Sequence, residues 1–260
     1  MKISFMSFLF PQADHRELIA MALKHDYDGI EFRAEAKHGH GVELEASDAA
    51  VRTVRADMAD AGLETSCLAT SVRFGEIDGA AREALLERCQ RLLDLAARVG
   101  APCMRIFGDP LPPPALGRRA QAYAIQAEYM ARAAEMAEPT GVRLVLETHS
   151  VFRAYDAGEL LYRTGYPPAL WINWHLEHCL NHGEDVDEAY RHVKGRVAHA
   201  HFSFTSGYEG GIERQIALLA DEGFPGHFSV EIMPKEGLDG EAHVAEHSQR
   251  WHAIVAQQVA

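Results

Sequence analysis

Short β-rich runs alternate with segments of helical periodicity about eight times along this chain. The strand-type runs fall at 2–9, 27–33, 64–70, 102–107, 142–148, 169–175, 196–203 and 227–233. Between them apolar residues recur at the three- and four-residue spacing of a helix with one buried face. Asp14 precedes Leu18, Ile19, Ala22 and Leu23, and Ser47 precedes Val51, Val54 and Met58. Both are residue types that cap the free N–H groups of a first helical turn. Asp78 opens the longest pattern, which runs through Leu85, Leu86, Cys89, Leu92, Leu93, Ala96 and Val99 and stops at Gly100. Later helices are expected over about 117–138, 156–164, 185–193, 212–222 and 242–257. Strand then helix, repeated at roughly 30-residue intervals, predicts an α/β fold built as a single (β/α)8 TIM barrel.

A doubly wound open sheet would normally carry a glycine-rich phosphate turn after its first strand; Phe8-Leu9-Phe10-Pro11-Gln12 stands there instead. No linker or composition break divides residues 1–260, so one domain is expected. Its 25 basic and 38 acidic residues give a formal charge of −13, a poor match to a phosphate backbone, so no nucleic-acid partner is expected. No stretch of about 18 residues escapes charge, which argues against a membrane span. Cys67, Cys89, Cys103 and Cys179 lie far apart without a CxxC pair. They read as buried thiols of a reducing compartment, and a cytoplasmic location is the expectation. The opening Met-Lys-Ile-Ser-Phe reads as a first strand rather than a leader, because no small-residue cleavage site follows it.

In a barrel of this kind the working residues sit at the C-terminal ends of the strands. The fifth strand-type run, Val142-Arg143-Leu144-Val145-Leu146-Glu147-Thr148-His149, places Val145, Glu147 and His149 on one face. The sixth aligns Trp171, Asn173 and His175, the seventh aligns His199 and His201, and the eighth ends an apolar run on Glu231. Four consecutive strands thus deliver Glu147, His175, His201 and Glu231 at one height. Four such groups unpaired could together cost several kcal/mol to bury. A divalent cation removes that cost.

These residues resemble the xylose isomerase-like TIM-barrel superfamily. The likeness lies in Glu147 on strand five, Asn173-Trp174 leading to His178 on strand six, His199-Ala200-His201 on strand seven and Ser229-Val230-Glu231 on strand eight. Gly29-Ile30-Glu31-Phe32-Arg33, Gly207-Tyr208-Glu209-Gly210-Gly211-Ile212 and the approach Phe224-Pro225-Gly226-His227-Phe228 carry it along nearly the whole chain. That superfamily includes sugar isomerases, ketose 3-epimerases, inosose dehydratases and endonuclease IV-type repair enzymes. The resemblance implies one divalent metal held by Glu147, His175, His201 and Glu231. It implies Glu147 and Glu231 as the proton-transferring carboxylates, with His178 on a substrate hydroxyl. The expected partner is a small sugar or polyol, and members of the superfamily often form dimers or tetramers.

One departure from the pattern is chemical. The usual strand-six ligand is Asp, and here that slot holds His175, with Asn173 a weaker substitute one pleat earlier. Two carboxylates and two imidazoles suit Mn²⁺, Co²⁺, Fe²⁺, Ni²⁺ or Zn²⁺ over Mg²⁺. The replacement leaves a second class open, a sugar-binding pseudo-enzyme that has lost its metal. A dehydratase of a cyclic polyol ketone shares the enolisation step of an isomerase. An endonuclease IV-type site would need additional His on strands three and four, and Leu68-Ala69-Thr70-Ser71 and Ile106-Phe107-Gly108-Asp109 supply none.

Arg33 ends strand two, where it can bind an anionic or polyol oxygen or pair with Glu31 or Glu35. His149 faces the mouth and can touch substrate, whereas His199 reads as a supporting or core residue. His38 and His40 read as a solvated loop, His182 as a loop residue, and His243, His247 and His252 as an outer helix face. Trp171 and the Phe8/Phe10 pair can stack on a sugar ring or fill the core, the second being the better expectation.

Overall fold

The protein is described from a computed structural model covering residues 1–75 and 79–259. Its strands are β1 (Lys2–Met6), β2 (Gly29–Arg33), β3 (Glu64–Arg73), β4 (Cys103–Phe107), β5 (Arg143–Glu147), β6 (Leu170–His175), β7 (Val197–Phe202) and β8 (His227–Val230). They close into a barrel in chain order, with β1 paired to β8 and every pairing parallel. The helices are α1 (His15–Lys24), α2 (Asp48–Asp60), α3 (Gly79–Val99), α4 (Arg119–Ala137), α5 (Ala154–Arg163), α6 (Leu176–Asn181), α7 (Val186–Val193), α8 (Glu209–Asp221) and α9 (Gly240–Val259). The chain is therefore a single (β/α)8 barrel. None of the described helices is long and apolar enough to cross a membrane.

Local chemistry starts the helices where the side chains allow it. Asp14 accepts hydrogen bonds from the N–H groups of Arg16 and Glu17 (2.8 and 2.9 Å), while Glu17 accepts from the N–H of Asp14. Ser47 accepts from the N–H of Ala50 at 3.2 Å. Asp78, expected to open α3, lies outside the described residues.

Strand alternation divides the barrel into two environments. Ile3, Phe5, Ile30, Phe32, Met104, Ile106, Leu144, Leu146, Ile172 and Trp174 are fully buried beneath the helices. Each such side chain contributes about 1.5–3 kcal/mol of hydrophobic stabilisation. The intervening residues point into the barrel, and many are polar: Ser4, Glu31, Arg105, Glu147, Asn173, His175, His199, His201 and Ser229 are all buried. Below them Cys67, Cys103, Val145 and Ala198 form a small apolar cluster. All four cysteines are buried free thiols.

Trp171 packs against this cluster near the N-terminal end of β6. Its Nε1–H donates to the carbonyl of Pro168 at 2.7 Å, and the guanidinium groups of Arg143 and Arg196 lie 4.8 and 5.3 Å from its ring. Trp171 closes the end of the barrel opposite the strand C-termini, so it is placed as filler and not as a sugar platform. Phe10 packs edge-on against Phe5 at 5.9 Å, whereas Phe8 stacks on His38 at 6.2 Å.

Candidate metal centre

The backbone at the C-terminal rim brings four side chains to one point. β5 ends at Glu147 and β6 at His175, and in the β6–β7 register His175 stands opposite His201. Glu231 follows the last residue of β8, and its N–H donates to the carbonyl of Phe202 at 3.0 Å. Thr148 stitches two of these ends together. Its Oγ1 accepts from the N–H of His175 (2.8 Å) and its hydroxyl donates to the His175 carbonyl (2.9 Å).

His201 Nδ1 lies 2.8 Å from Glu231 Oε2 and 3.6 Å from Glu147 Oε1. His175 Nδ1 lies 3.2 Å from Glu147 Oε1 and 3.5 Å from Glu231 Oε2. A tetrahedral ion with ligand bonds of about 2.0–2.2 Å separates its donors by roughly 3.3–3.6 Å. Two of these distances fall in that range and two are shorter, so all four atoms are close enough for one ion to reach. A second observation agrees. Glu231 Oε2 is buried without a hydrogen-bond partner although both imidazole Nδ1 atoms stand beside it. Two carboxylate oxygens and two nitrogens thus form a donor set that fits a borderline divalent cation.

Two charged residues that the sequence reading did not place here complete the cluster. Arg105, in the middle of β4, is buried; its Nη1 donates to Glu147 Oε2 at 3.0 Å and lies 3.9 Å from Glu231 Oε1. Its Nη2 donates to the carbonyl of Thr70. Glu31, on β2, accepts from His201 Nε2 at 3.0 Å and from His199 Nε2 at 2.9 Å. That contact orients His201 with Nδ1 toward the donor set. The signals in the sequence were a guanidinium inside Cys103-Met104-Arg105-Ile106-Phe107 and a carboxylate inside Gly29-Ile30-Glu31-Phe32.

The electrostatics follow from these pairings. Burial alone would raise the carboxyl of Glu147, but the charges of Arg105 and His201 outweigh it and hold the group well below its ordinary range. Glu31 behaves alike, with burial overcome by His201 and His199. Burial works against the imidazolium of His175, yet its bonds to Glu147 and Glu177 bring it up to about 9. His178 is different: burial and the neighbouring charge of His175 press it down to about 3, leaving a neutral imidazole.

His178 and His149 form the wall above the four donors. Their rings lie 4.9 Å apart, and His178 lies 4.3 Å from His175. His149 Nδ1–H donates to Asp109 Oδ2 at 3.1 Å; the same oxygen accepts from Arg73 at 2.6 Å. Arg33 ends β2 at the same rim and pairs with neither Glu31 nor Glu35. Glu31 serves the two histidines, while Glu35 accepts from Arg88 and from the N–H of Ser71.

Other histidines depart from expectation. His40 is almost wholly buried: its Nδ1 accepts from the N–H of Val42 (3.0 Å) and its Nε2–H donates to the Arg33 carbonyl (3.2 Å). His247 is fully buried rather than on an outer face, and its Nε2 accepts from the N–H of Phe204 at 3.0 Å. Both rings bury because the fold supplies a backbone partner that local polarity does not reveal.

The sequence profile of the xylose isomerase-like TIM barrel family matches residues 19–253. The chain belongs to that family. No curated protein sequence matches it. Among solved structures it is similar to the probable 3-DHS dehydratase AsbF of petrobactin synthesis from Bacillus anthracis, with a TM-score of 0.78 at 18% identity over 97% of this chain and 99% of that one. It is similar to D-psicose 3-epimerase (TM-score 0.77, 18% identity, 98% and 97% covered). It is also similar to the IOLI protein, whose structure holds a zinc atom (TM-score 0.77, 15% identity, 99% of each chain covered). At such identities these likenesses speak for the fold.

Proposed function

We propose that this protein is a metal-dependent isomerase or epimerase of a sugar or polyol, acting by proton transfer next to a carbonyl through an enediolate. The observation that carries the reading is the convergence of Glu147, His175, His201 and Glu231 on one point at the C-terminal rim, with Glu231 partly exposed. Glu147, His175, His201 and Glu231 would hold one divalent ion of the Mn²⁺, Co²⁺, Fe²⁺, Ni²⁺ or Zn²⁺ type. Such an ion supplies Lewis acidity toward the carbonyl and adjacent hydroxyl oxygens of a bound substrate.

The protein's own groups divide the remaining work. Glu231 is 17% exposed at its side chain against 1% for Glu147, and Glu147 is tied to Arg105. That asymmetry favours Glu231 as the group taking the proton from carbon and Glu147 as the deeper partner that returns one. The neutral ring of His178 hydrogen-bonds a substrate hydroxyl, and His149 lines the same wall. Arg33 contacts substrate oxygen from the opposite side of the rim.

A dehydratase of a cyclic polyol ketone is the second reading. It begins with the same enolisation, and the fold likeness to a probable 3-DHS dehydratase favours keeping it. The test is metal analysis of purified protein followed by deuterium uptake from solvent into a panel of ketoses and cyclic ketones. Exchange that requires metal and vanishes in Glu147→Gln and Glu231→Gln is expected. Metal-replete protein that exchanges none of them overturns the reading.

A further inference from the structure

Arg33 is one pleat above Glu31 on β2, half-buried at the mouth. Its Nη1 donates to the carbonyls of Ala34 and Ala69, the latter at 3.2 Å, and its Nη2 donates to Ser71 Oγ. Every one of these acceptors is neutral. The Nε–H and one Nη2–H have no acceptor among the described residues, and no carboxylate oxygen there lies within 4.0 Å of the guanidinium. The acidic side chains nearby are committed elsewhere. Glu31 serves His199 and His201, and Glu35 serves Arg88 and the Ser71 amide. Glu43 takes the N–H groups of residues 35–38.

Arg105 provides the contrast. It is the more deeply buried guanidinium, and it has a carboxylate at 3.0 Å. Arg33, half-buried at the rim, carries the same charge without a carboxylate in direct contact. Glu35, Glu231 and Glu43 act on it only at longer range, so its free donors can still gain from an anion that touches them. A neutral polyol could occupy the free N–H groups but would leave the guanidinium without an ionic partner in contact. A carboxylate matches the planar donor fork and neutralises it. A phosphate is served better by a nest of backbone amides. At this rim the amides of residues 35–38 form such a nest, and Glu43 already fills it. The backbone behind Arg33 is also fixed, since His40 Nε2–H donates to the Arg33 carbonyl.

We infer that Arg33 anchors a substrate carboxylate, so that the polyhydroxylated ketone handled by this site is an acid: a keto-aldonate, a uronate or a cyclic keto-polyol carboxylate, not a neutral ketose. The inference rests on the proposed ketone chemistry for its site but not for its test. Calorimetric titration of metal-loaded protein with quinate, myo-inositol and an inositol monophosphate compares acid, neutral polyol and phosphate without turnover. Quinate is expected to bind roughly tenfold or more tighter than myo-inositol. Arg33→Met should bring the two within about twofold of each other. Arg33→Lys, which keeps the charge without the fork, should lose roughly tenfold for quinate and little for myo-inositol. That variant keeps the test decisive if Arg33→Met does not fold.

Equal binding of quinate and myo-inositol by the native protein overturns the inference. So does a quinate preference that survives in Arg33→Met, which would place the carboxylate on the metal, and so does tighter binding of the phosphate. Deuterium exchange separates the two claims. A quinate preference without exchange on any substrate leaves the carboxylate anchor standing and removes the isomerase reading. Exchange into neutral ketoses, with no preference for acids, does the reverse.

Discussion

Arg105 Nη1 donates to Glu147 Oε2 at 3.0 Å inside the barrel, with the two side chains 4% and 1% exposed. A pair this deep contributes little net stability over an apolar substitute, but either member alone is costly. Arg105→Met is therefore expected to lower unfolding free energy by about 3–5 kcal/mol. Arg105→Met combined with Glu147→Gln should lose much less than the sum of the single changes, with a coupling of about 1 kcal/mol or more. Urea denaturation of the four proteins measures the cycle, and additivity would remove the pairing from the stability account.

Glu231 has less protein around it. Glu147→Gln and Glu231→Gln should each reduce solvent deuterium exchange by about a hundredfold or more. Only Glu147→Gln should also lower the melting temperature clearly, because it strands Arg105. Mass spectrometry of substrate and a thermal melt on the same preparations separate the chemical from the structural loss.

Glu31 acts through His201. With Glu31→Gln the imidazole loses its carboxylate partner at Nε2, and metal affinity should fall about 10–100-fold. Competition with a chromophoric chelator reads this directly. Unchanged affinity would mean that the Glu31 carboxylate is not what orients His201.

His40 makes a pH prediction away from the donor cluster. Burial, aided by the charge of His38, lowers the folded imidazole to about 4, from an ordinary value of about 6.5. The unfolded chain therefore takes up a proton that the folded chain refuses as pH falls between those values. The stability His40 lends is present above about pH 6.5 and is lost progressively toward pH 4, to roughly 3 kcal/mol at most. The stability gap between native protein and His40→Ala should shrink over that window, as followed by urea midpoints. A constant gap would show that His40 does not titrate with unfolding.

Gly29 offers a packing test. A Cβ built there would stand 2.5 Å from the Glu64 carbonyl oxygen on the neighbouring strand. Gly29→Ala must push β2 from β3 and should cost about 1–3 kcal/mol, seen as a lower urea midpoint.

The barrel was legible because each strand must present apolar residues outward to a helix, which writes a periodic pattern into local sequence. Glu147 and Glu231 were legible for the same reason inverted, as carboxylates ending apolar runs. Arg105 was not, because nothing near it explains it: its partner Glu147 is 42 residues away. Glu31 and His201 are separated by 170 residues and meet only when the barrel closes. His40 and His247 misled for a related reason, since their short-range surroundings are polar and their burial comes from closure.

The carboxylate of Glu43 gathers the amides of residues 35–38 before any ligand arrives. The stretch following β2 is thus ordered during folding, and no part of a ligand's affinity is spent arranging it. Association at this side of the opening is then expected to be limited by diffusion and dehydration, with selectivity expressed in how long a molecule stays.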